Sequence, residues 1–272
     1  MGFAERELTT VIVTHNSAAV LPDCLAALEE CSSGQVLVVD NASSDGSVEL
    51  ARDAGAEVYA LNQNYGFARA VNYGARAARS PFLCFLNPDC IVNAGLLEVA
   101  AQLLHQQGRC VVVPDFLHDD GTIVRGCQPG YTWQKILADM IEINRGWSRI
   151  VRLIKRLPDY DAKSWHWPLC ACAFISRDLF FDAGGFDERY FLYMEDVEFG
   201  LAIARLGGNV MTLDFTVPHH AQLGSSIDCN HRINLLNAAR MQYARRYYGV
   251  CFERLLFMLI PKNKRMTQQG NN

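Results

Sequence analysis

The chain reads as an α/β protein with a central, mostly parallel sheet flanked by helices, and three observations predict this. Short β-branched runs alternate with segments of helical periodicity through the first half of the sequence, the pattern of strand-helix-strand units. The first of these runs are dominated by β-branched residues, as strands covered on both faces are. Each also stops at polar residues: His15-Asn16, Asp40-Asn41, Asn62 to Asn64, and Asn87-Pro88-Asp89. In open sheets of this kind ligands bind outside the carboxyl ends of the strands.

The elements follow in order. "LTTVIVT" (8–14) and "VLVV" (36–39) are strands, and "SAAVLPDCLAALEEC" between them has the helical spacing of Val20, Cys24, Leu25 and Leu28, with Ser17 as the expected cap. A short helix is expected from Ser44 to Ala54, then a strand at "EVYAL", a helix at "GFARAVNYGARAAR" and a strand at "FLCFL". The helix "GLLEVAAQLLHQQG" and the strand "CVVVPDF" extend the series. Beyond them "HDDG" (118–121) predicts a hairpin turn. Residues 131–157 form a helical insertion ending in Arg145, Arg149, Arg152, Lys155 and Arg156. "LCACAFI" (169–175) returns as a strand, "SRDLFFDAGGF" starts a helix, "YFLYMEDVEFGLAIARLG" is a loop entering a helix, and "NVMTLDFTVPHH" is the last strand. The tail from 230 to 260 is helical. No linker or internal repeat interrupts the chain, so one domain over 1–228 with a helical extension over 229–272 is expected.

At 272 residues and 50% hydrophobic composition the chain can bury one sizeable core. A net charge of -4 gives no overall pull toward nucleic acid. Ten cysteines at irregular spacing, with no C-x-x-C pair, read as buried thiols in a reducing compartment. No apolar signal core opens the sequence and no apolar run reaches transmembrane length, so a cytoplasmic location is expected.

The strand-end carboxylates are the first candidates. Asp40 follows "VLVV", Asp89 follows "FLCFLNP", and Asp45 reads as a helix cap. Pro88 fixes the backbone and removes a donor where the strand ends, which aims Asp89 outward. A divalent cation such as Mg²⁺ or Mn²⁺ takes one or two such carboxylates and keeps positions for substrate phosphates. Neither GxxxxGK[ST] nor a GxGxxG after the first strand is present, so a nucleotide held here needs a metal to neutralise its diphosphate. In "NYGFARAVNYGARAA", Asn72 faces the same rim as Asp89, whereas Gly74 suits either close packing or a ligand. Glu195 and Asp196 sit at a helix start after an aromatic stretch. The helix dipole alone favours acids there, and partial desolvation would tune one of them as a general base. His219 and His220 end the last strand, and either could supply an imidazole to the cation, with His220 the preferred one.

Together "VIVTHN", "VVDNASSDGS", "NYGFARAVNYGARAA", "LNPD", "GGFDERYFLYMEDVEF" and "VPHHAQLGSS" resemble, in order and spacing, the family 2 inverting glycosyltransferases, and most closely their rhamnosyltransferase branch. The resemblance covers roughly residues 8–228. It implies a GT-A-type fold with a nucleotide-sugar half (1–114) and an acceptor and catalytic half (115–228). It implies that Asp40 reads the nucleotide base, with Thr14, His15, Asn16 and Asn41 beside it and Asn64, Gly66 and Asn72 lining the base and sugar pocket. Asp89 and His220 would hold the metal, Asp196 would be the catalytic base, and Glu195 would support it. Asn87 stands where the commoner motif has a first Asp, which removes one negative charge near the cation. The implied donor is a dTDP- or UDP-sugar, with dTDP-L-rhamnose first, and the implied acceptor a glycan or lipid-linked glycan of cell-surface polysaccharide synthesis.

Two other classes fit parts of the sequence. One is a non-catalytic nucleotide-sugar-binding scaffold subunit, against which Asp40, Asp89, Glu195, Asp196 and His220 standing together argue. The other is a nucleotidyltransferase, whose glycine-rich basic loop is replaced here by "THNSAAVLPDC". The basic, Trp-bearing segment 131–156 and the tail "YYGVCFERLLFMLIPKNKR" suit an anionic membrane surface, a homodimer interface or a core-packed helix with a solvated charged side.

Overall fold

The computed structural model describes residues 7–31, 34–157, 164–220 and 229–261. The expected strands form where predicted: β1 (Leu8–Thr14), β2 (Gln35–Asp40), β3 (Glu57–Ala60), β4 (Phe82–Leu86) and β5 (Cys110–Leu117). Helices α1 (Leu21–Glu30), α2 (Ser47–Asp53), α3 (Phe67–Ala77) and α4 (Ala94–Gln107) connect them. Helix α1 starts at Leu21 with Pro22 in its first turn and no side-chain cap. Ser17 instead lends its carbonyl to the Val20 and Leu21 amides, so the expected cap is a turn residue. Helix α2 starts three residues later than expected, after Gly46 in the left-handed region at φ 87°.

Beyond β5 come β6 (Ile123–Val124), β7 (Cys127–Pro129), α5 (Trp133–Arg145), α6 (Ser148–Ile154), β8 (His166–Pro168) and β9 (Cys172–Ser176). Then follow α7 (Arg177–Asp182), α8 (Glu195–Arg205), β10 (Asn209–Pro218) and α9 (Cys229–Leu259). The expected hairpin joins β5 to β6, with Phe116 opposite Val124 and Leu117 opposite Ile123. Gly146, left-handed at φ 62°, splits the helical insertion into α5 and α6, and Gly249 (φ 84°, ψ 171°) kinks α9.

The sheet runs β10-β5-β9-β4-β1-β2-β3, with β6 on β5. Its ladders are parallel except around β9, which is antiparallel to both β4 and β5, and at the β5–β6 hairpin. The carboxyl ends of β1, β2, β4, β5 and β10 therefore share one rim with the start of β9. Leu21, Cys24, Leu25 and Leu28 of α1 are buried on one side of the sheet. Helix α3 buries Ala68, Val71 and Ala75 on the other. A fully buried leucine of this kind contributes about 1.5–3 kcal/mol. The close approach of α3 requires Gly74, because a Cβ there would lie 2.4 Å from Val11 Cγ1 and 3.1 Å from Val39 Cγ2.

The chain forms two compact units. One comprises Met1–Gln128, Trp165–Phe191 and Glu195–Ser226; the other comprises Pro129–Ser164, Leu192–Met194 and Ile227–Asn272. The first holds the sheet. The second holds α5, α6 and α9, where Arg240 donates to Asp139 (3.1 Å) and Tyr131 (2.8 Å), and Asn144 pairs with Asn237.

Candidate active site

The β1 and β2 ends are knitted together. Asp40, 1% exposed, accepts from the Thr14 hydroxyl (2.7 Å), the Ser43 hydroxyl (2.5 Å) and the Ser43 amide (2.8 Å). These bonds use three of about four acceptor positions on a carboxylate. Asn41 donates to the Gly66 carbonyl (3.2 Å) and accepts from the Tyr65 amide (3.2 Å), so it ties β2 to the start of α3. His15 Nδ1 lies 2.8 Å from the Asn41 carbonyl. Asn16, left-handed at φ 55°, accepts from the Ser44 amide at 2.8 Å. Asp45 accepts from Ser47 and from the Ala18 amide (2.8 Å), but the N-cap of α2 is Gly46 and no side chain caps it, so the expected cap serves instead as a turn residue ahead of the helix. Thr14, His15, Asn16, Asp40 and Asn41 thus gather on one rim, as the strand order requires.

The α3 side of this rim is locked to the segment that leads to α8. Asn64 Oδ1 accepts from the Gly66 amide (2.9 Å), and the Phe67 amide donates to the Phe191 carbonyl (2.8 Å). A Cβ on Gly66 would stand 2.3 Å from that carbonyl, and at φ +87° only glycine is comfortable. Asn72, buried, donates to the Phe186 carbonyl (2.8 Å) and to Glu188 (3.0 Å) and accepts from the Phe186 amide (2.9 Å). Its amide holds the 186–188 segment in place beside α3.

At the β4 end the pattern reverses. Asp89 is 4% exposed, yet its Oδ1 accepts no hydrogen bond among the described residues. His219 Nε2 lies 3.4 Å from that oxygen. A bridge between Cys90 and His219 and a bond from the His220 amide to the Asp89 carbonyl (3.0 Å) bring the end of β10 against the Asn87-Pro88-Asp89 turn. The His220 ring turns to Asp119, 2.5 Å away. The structure therefore sets His219, rather than the His220 preferred from sequence, beside Asp89. Strand alternation carried that signal: His219 lies two residues past the buried Val217 and shares its face. One ligand atom each from Asp89, Cys90 and His219 lies within 4.8 Å of the others. An orphaned buried carboxylate oxygen next to an imidazole suits a divalent cation. Asn87 holds the turn through its backbone, donating to the Ala171 carbonyl (2.8 Å) and accepting from the Cys90 amide (3.2 Å).

Ala171 leads to the second pair of acids. Cys170 is buried, and after that burial the charges of Asp196 and Glu195 are what push its thiol up, which sets the start of β9 between the Asp89 turn and the head of α8. Glu195 is 5% exposed, and its Oε2 has no hydrogen-bond partner among the described residues. Burial, then the neighbouring Asp196 charge, drives it well above the ordinary carboxylate range. Burial likewise pushes Asp196 up to about 7, opposed by the bond from the Val197 amide (2.8 Å). Tyr193 and Met194, just before α8, both sit in the left-handed region (φ 70° and 71°), a backbone strain of the kind that collects at functional sites.

A mostly parallel sheet with β9 reversed inside it, and acids converging on its carboxyl rim, define a GT-A glycosyltransferase fold. The structure superposes on GalNAc-T7 solved with UDP, GalNAc and Mn²⁺ at TM-score 0.59 and 16% identity, covering 90% of this chain and 51% of that one. The chain thus spans about half the length of that protein. Residues 1–349 of Staphylococcus aureus TarS match at 0.57 and 16% over 95% of this chain and 82% of that one. The Pyrobaculum calidifontis mannosyltransferase PcManGT, with GDP-Man and Mn²⁺, matches at 0.55 and 18% over 92% and 68%. Residues 9–180 match "Glycosyl transferase family 2", so the chain belongs to that family. A curated Mycobacterium tuberculosis relative, N-acetylglucosaminyl-diphospho-decaprenol L-rhamnosyltransferase, is 27% identical over 235 residues, 78% of this chain and 76% of that protein.

Proposed function

We propose that this glycosyltransferase moves L-rhamnose from dTDP-L-rhamnose, with inversion, to a hydroxyl of a lipid-linked glycan. The observation that carries the reading is the Glu195-Asp196 pair at a helix head, Glu195 buried and Asp196 half-buried and raised to about 7, on the sheet rim that also bears Asp89. Near neutral pH Asp196 exists in both protonation states, which suits a general base. It takes the proton from the acceptor hydroxyl as that oxygen attacks the anomeric carbon opposite the departing diphosphate. Glu195, kept protonated by burial and by Asp196, leaves the single negative charge on its neighbour. The Asp40 cluster fixes the strand ends and offers its remaining acceptor position to the nucleotide base. Asp89 and His219 hold a divalent cation, which when bound supplies neutralisation of the donor's diphosphate. One displacement needs no enzyme nucleophile.

The mycobacterial relative's name supports both the rhamnosyl donor and an acceptor of the diphospho-polyprenol-linked N-acetylglucosamine type. Purified protein with Mn²⁺, that acceptor and each of dTDP-L-rhamnose, UDP-sugars and GDP-mannose, read by mass spectrometry, tests the assignment. Rhamnosylated lipid with release of dTDP is expected. Product from a UDP-sugar alone moves the donor, and donor binding without any product replaces the transferase by a scaffold.

A further inference from the structure

The unit that carries α5, α6 and α9 presents a surface that this chemistry does not use. Trp147, Ile150, Leu153 and Leu157 are 48%, 41%, 63% and 49% exposed, from the N-cap of one short helix through the turn that continues it. An α-helix advances by about 100° per residue, which sorts the segment into three sectors. Val151 and Ile154 face inward, against Ala138 and Ile141 of α5. Ile150, Leu153 and Leu157 fill a second sector, open to solvent. Arg149, Arg152 and Arg156 fill the third, adjoining it. The same unit adds Met258, 59% exposed, whose carbonyl accepts from Arg145 at 3.1 Å. Residues 145–157 contain five cations and no acid.

A solvated helix face would be polar across both outer sectors. Half-exposed leucine, isoleucine and tryptophan beside a band of arginines is instead the arrangement of a helix lying in a lipid interface, with apolar side chains at the headgroup boundary and cations among the headgroups. We propose that α6 docks this unit on an anionic lipid bilayer. Charge selects the occupant. A second copy of the chain meeting this patch about a two-fold axis would oppose the cations with their own equivalents, whereas a bilayer surface bearing phosphodiester headgroups neutralises them. A nucleic-acid backbone would satisfy the arginines and leave the apolar sector in water. The inference rests on a unit that lacks Asp89 and Asp196, so it stands apart from the transferase reading.

Cosedimentation of the full chain with vesicles of phosphatidylcholine, alone or mixed with phosphatidylglycerol, tests it. Binding to the mixed vesicles only, weakening as salt is raised, is expected. The triple variant Arg149→Gln, Arg152→Gln, Arg156→Gln should lose on the order of 100-fold in affinity, at roughly tenfold per 1.4 kcal/mol and about 1 kcal/mol per cation. Ile150→Ser with Leu153→Ser should lose binding to the mixed vesicles. Both variants change exposed side chains, so an unchanged melting temperature confirms that they fold. Asp196→Asn should bind vesicles as the parent does, which separates docking from catalysis. Absence of vesicle binding, equal binding to both compositions, or a dimer on a sizing column that Leu153→Ser dissolves would overturn the proposal.

Discussion

The two ends of the rim treat their carboxylates in opposite ways. At the β2 end Asp40 is buried and met by three donors from Thr14 and Ser43. At the β4 and α8 end Asp89 and Glu195 are almost as buried, yet each keeps an oxygen with no hydrogen bond among the described residues. Burying an acceptor without a partner costs about 1–3 kcal/mol, so the second arrangement lowers stability and the first does not. The contrast separates two tasks. A satisfied carboxylate holds strand ends in place, whereas an unsatisfied one is ready for a cation, a proton or a substrate.

Substitutions that remove one kind and spare the other sharpen the contrast. Asp196→Asn should lower kcat by about 10²–10⁴-fold, the usual worth of a general base, while isothermal titration shows unchanged donor affinity. Equal loss of both would move Asp196 from chemistry to binding. Asp89→Asn should erase stabilisation by Mn²⁺, which for the parent chain at a hundredfold excess over Kd is about 2.7 kcal/mol in a thermal melt. Retention of that shift would remove Asp89 from the cation site. Asp40→Asn, by contrast, should destabilise the protein by about 1–3 kcal/mol in denaturant titration, with or without metal, because it sets an NH2 donor in place of one of the two oxygens that face donors. His219→Gln should weaken Mn²⁺ binding by about tenfold, roughly 1.4 kcal/mol, with His220→Gln having the smaller effect. The reverse order would restore the ligand preferred from sequence.

The raised acid also fixes a pH trend. Asp196 is raised from 3.8 to about 7 in the folded protein, so between those values the folded state holds a proton that the unfolded chain has lost. Stability therefore falls as pH rises through that window. Asp196→Asn should flatten the slope, and should raise stability at pH 8 by at least about 1 kcal/mol, one pKa unit's worth. An inactive variant more stable than its parent is the expected signature of a strained site.

The strands of the first half were legible because each is an apolar run bounded by polar residues, and the parallel ladders put those polar ends on one rim. Strand β9 was legible as a strand but not as the reversed one, since local pattern carries no direction. Gly146 was the signal that split α5 from α6, a left-handed stop inside a helical stretch. Asn72 was visible as an odd residue in a helix interior, but its partners Phe186 and Glu188 lie more than a hundred positions away and no local rule reaches them. The choice between His219 and His220 turned on strand phase, which Val217 carried. Residues 221–226, the "AQLGSS" part of "VPHHAQLGSS", lie outside the described residues.

The central claim is that Asp196 is a half-buried base whose ionisation falls near neutral pH. A ¹³C-carboxyl NMR titration of aspartate-labelled protein, with Asp196→Asn assigning the resonance, measures it directly. The account predicts an inflection near pH 7 for that one carboxyl. An inflection near about 4, where an ordinary solvated aspartate titrates, would contradict it.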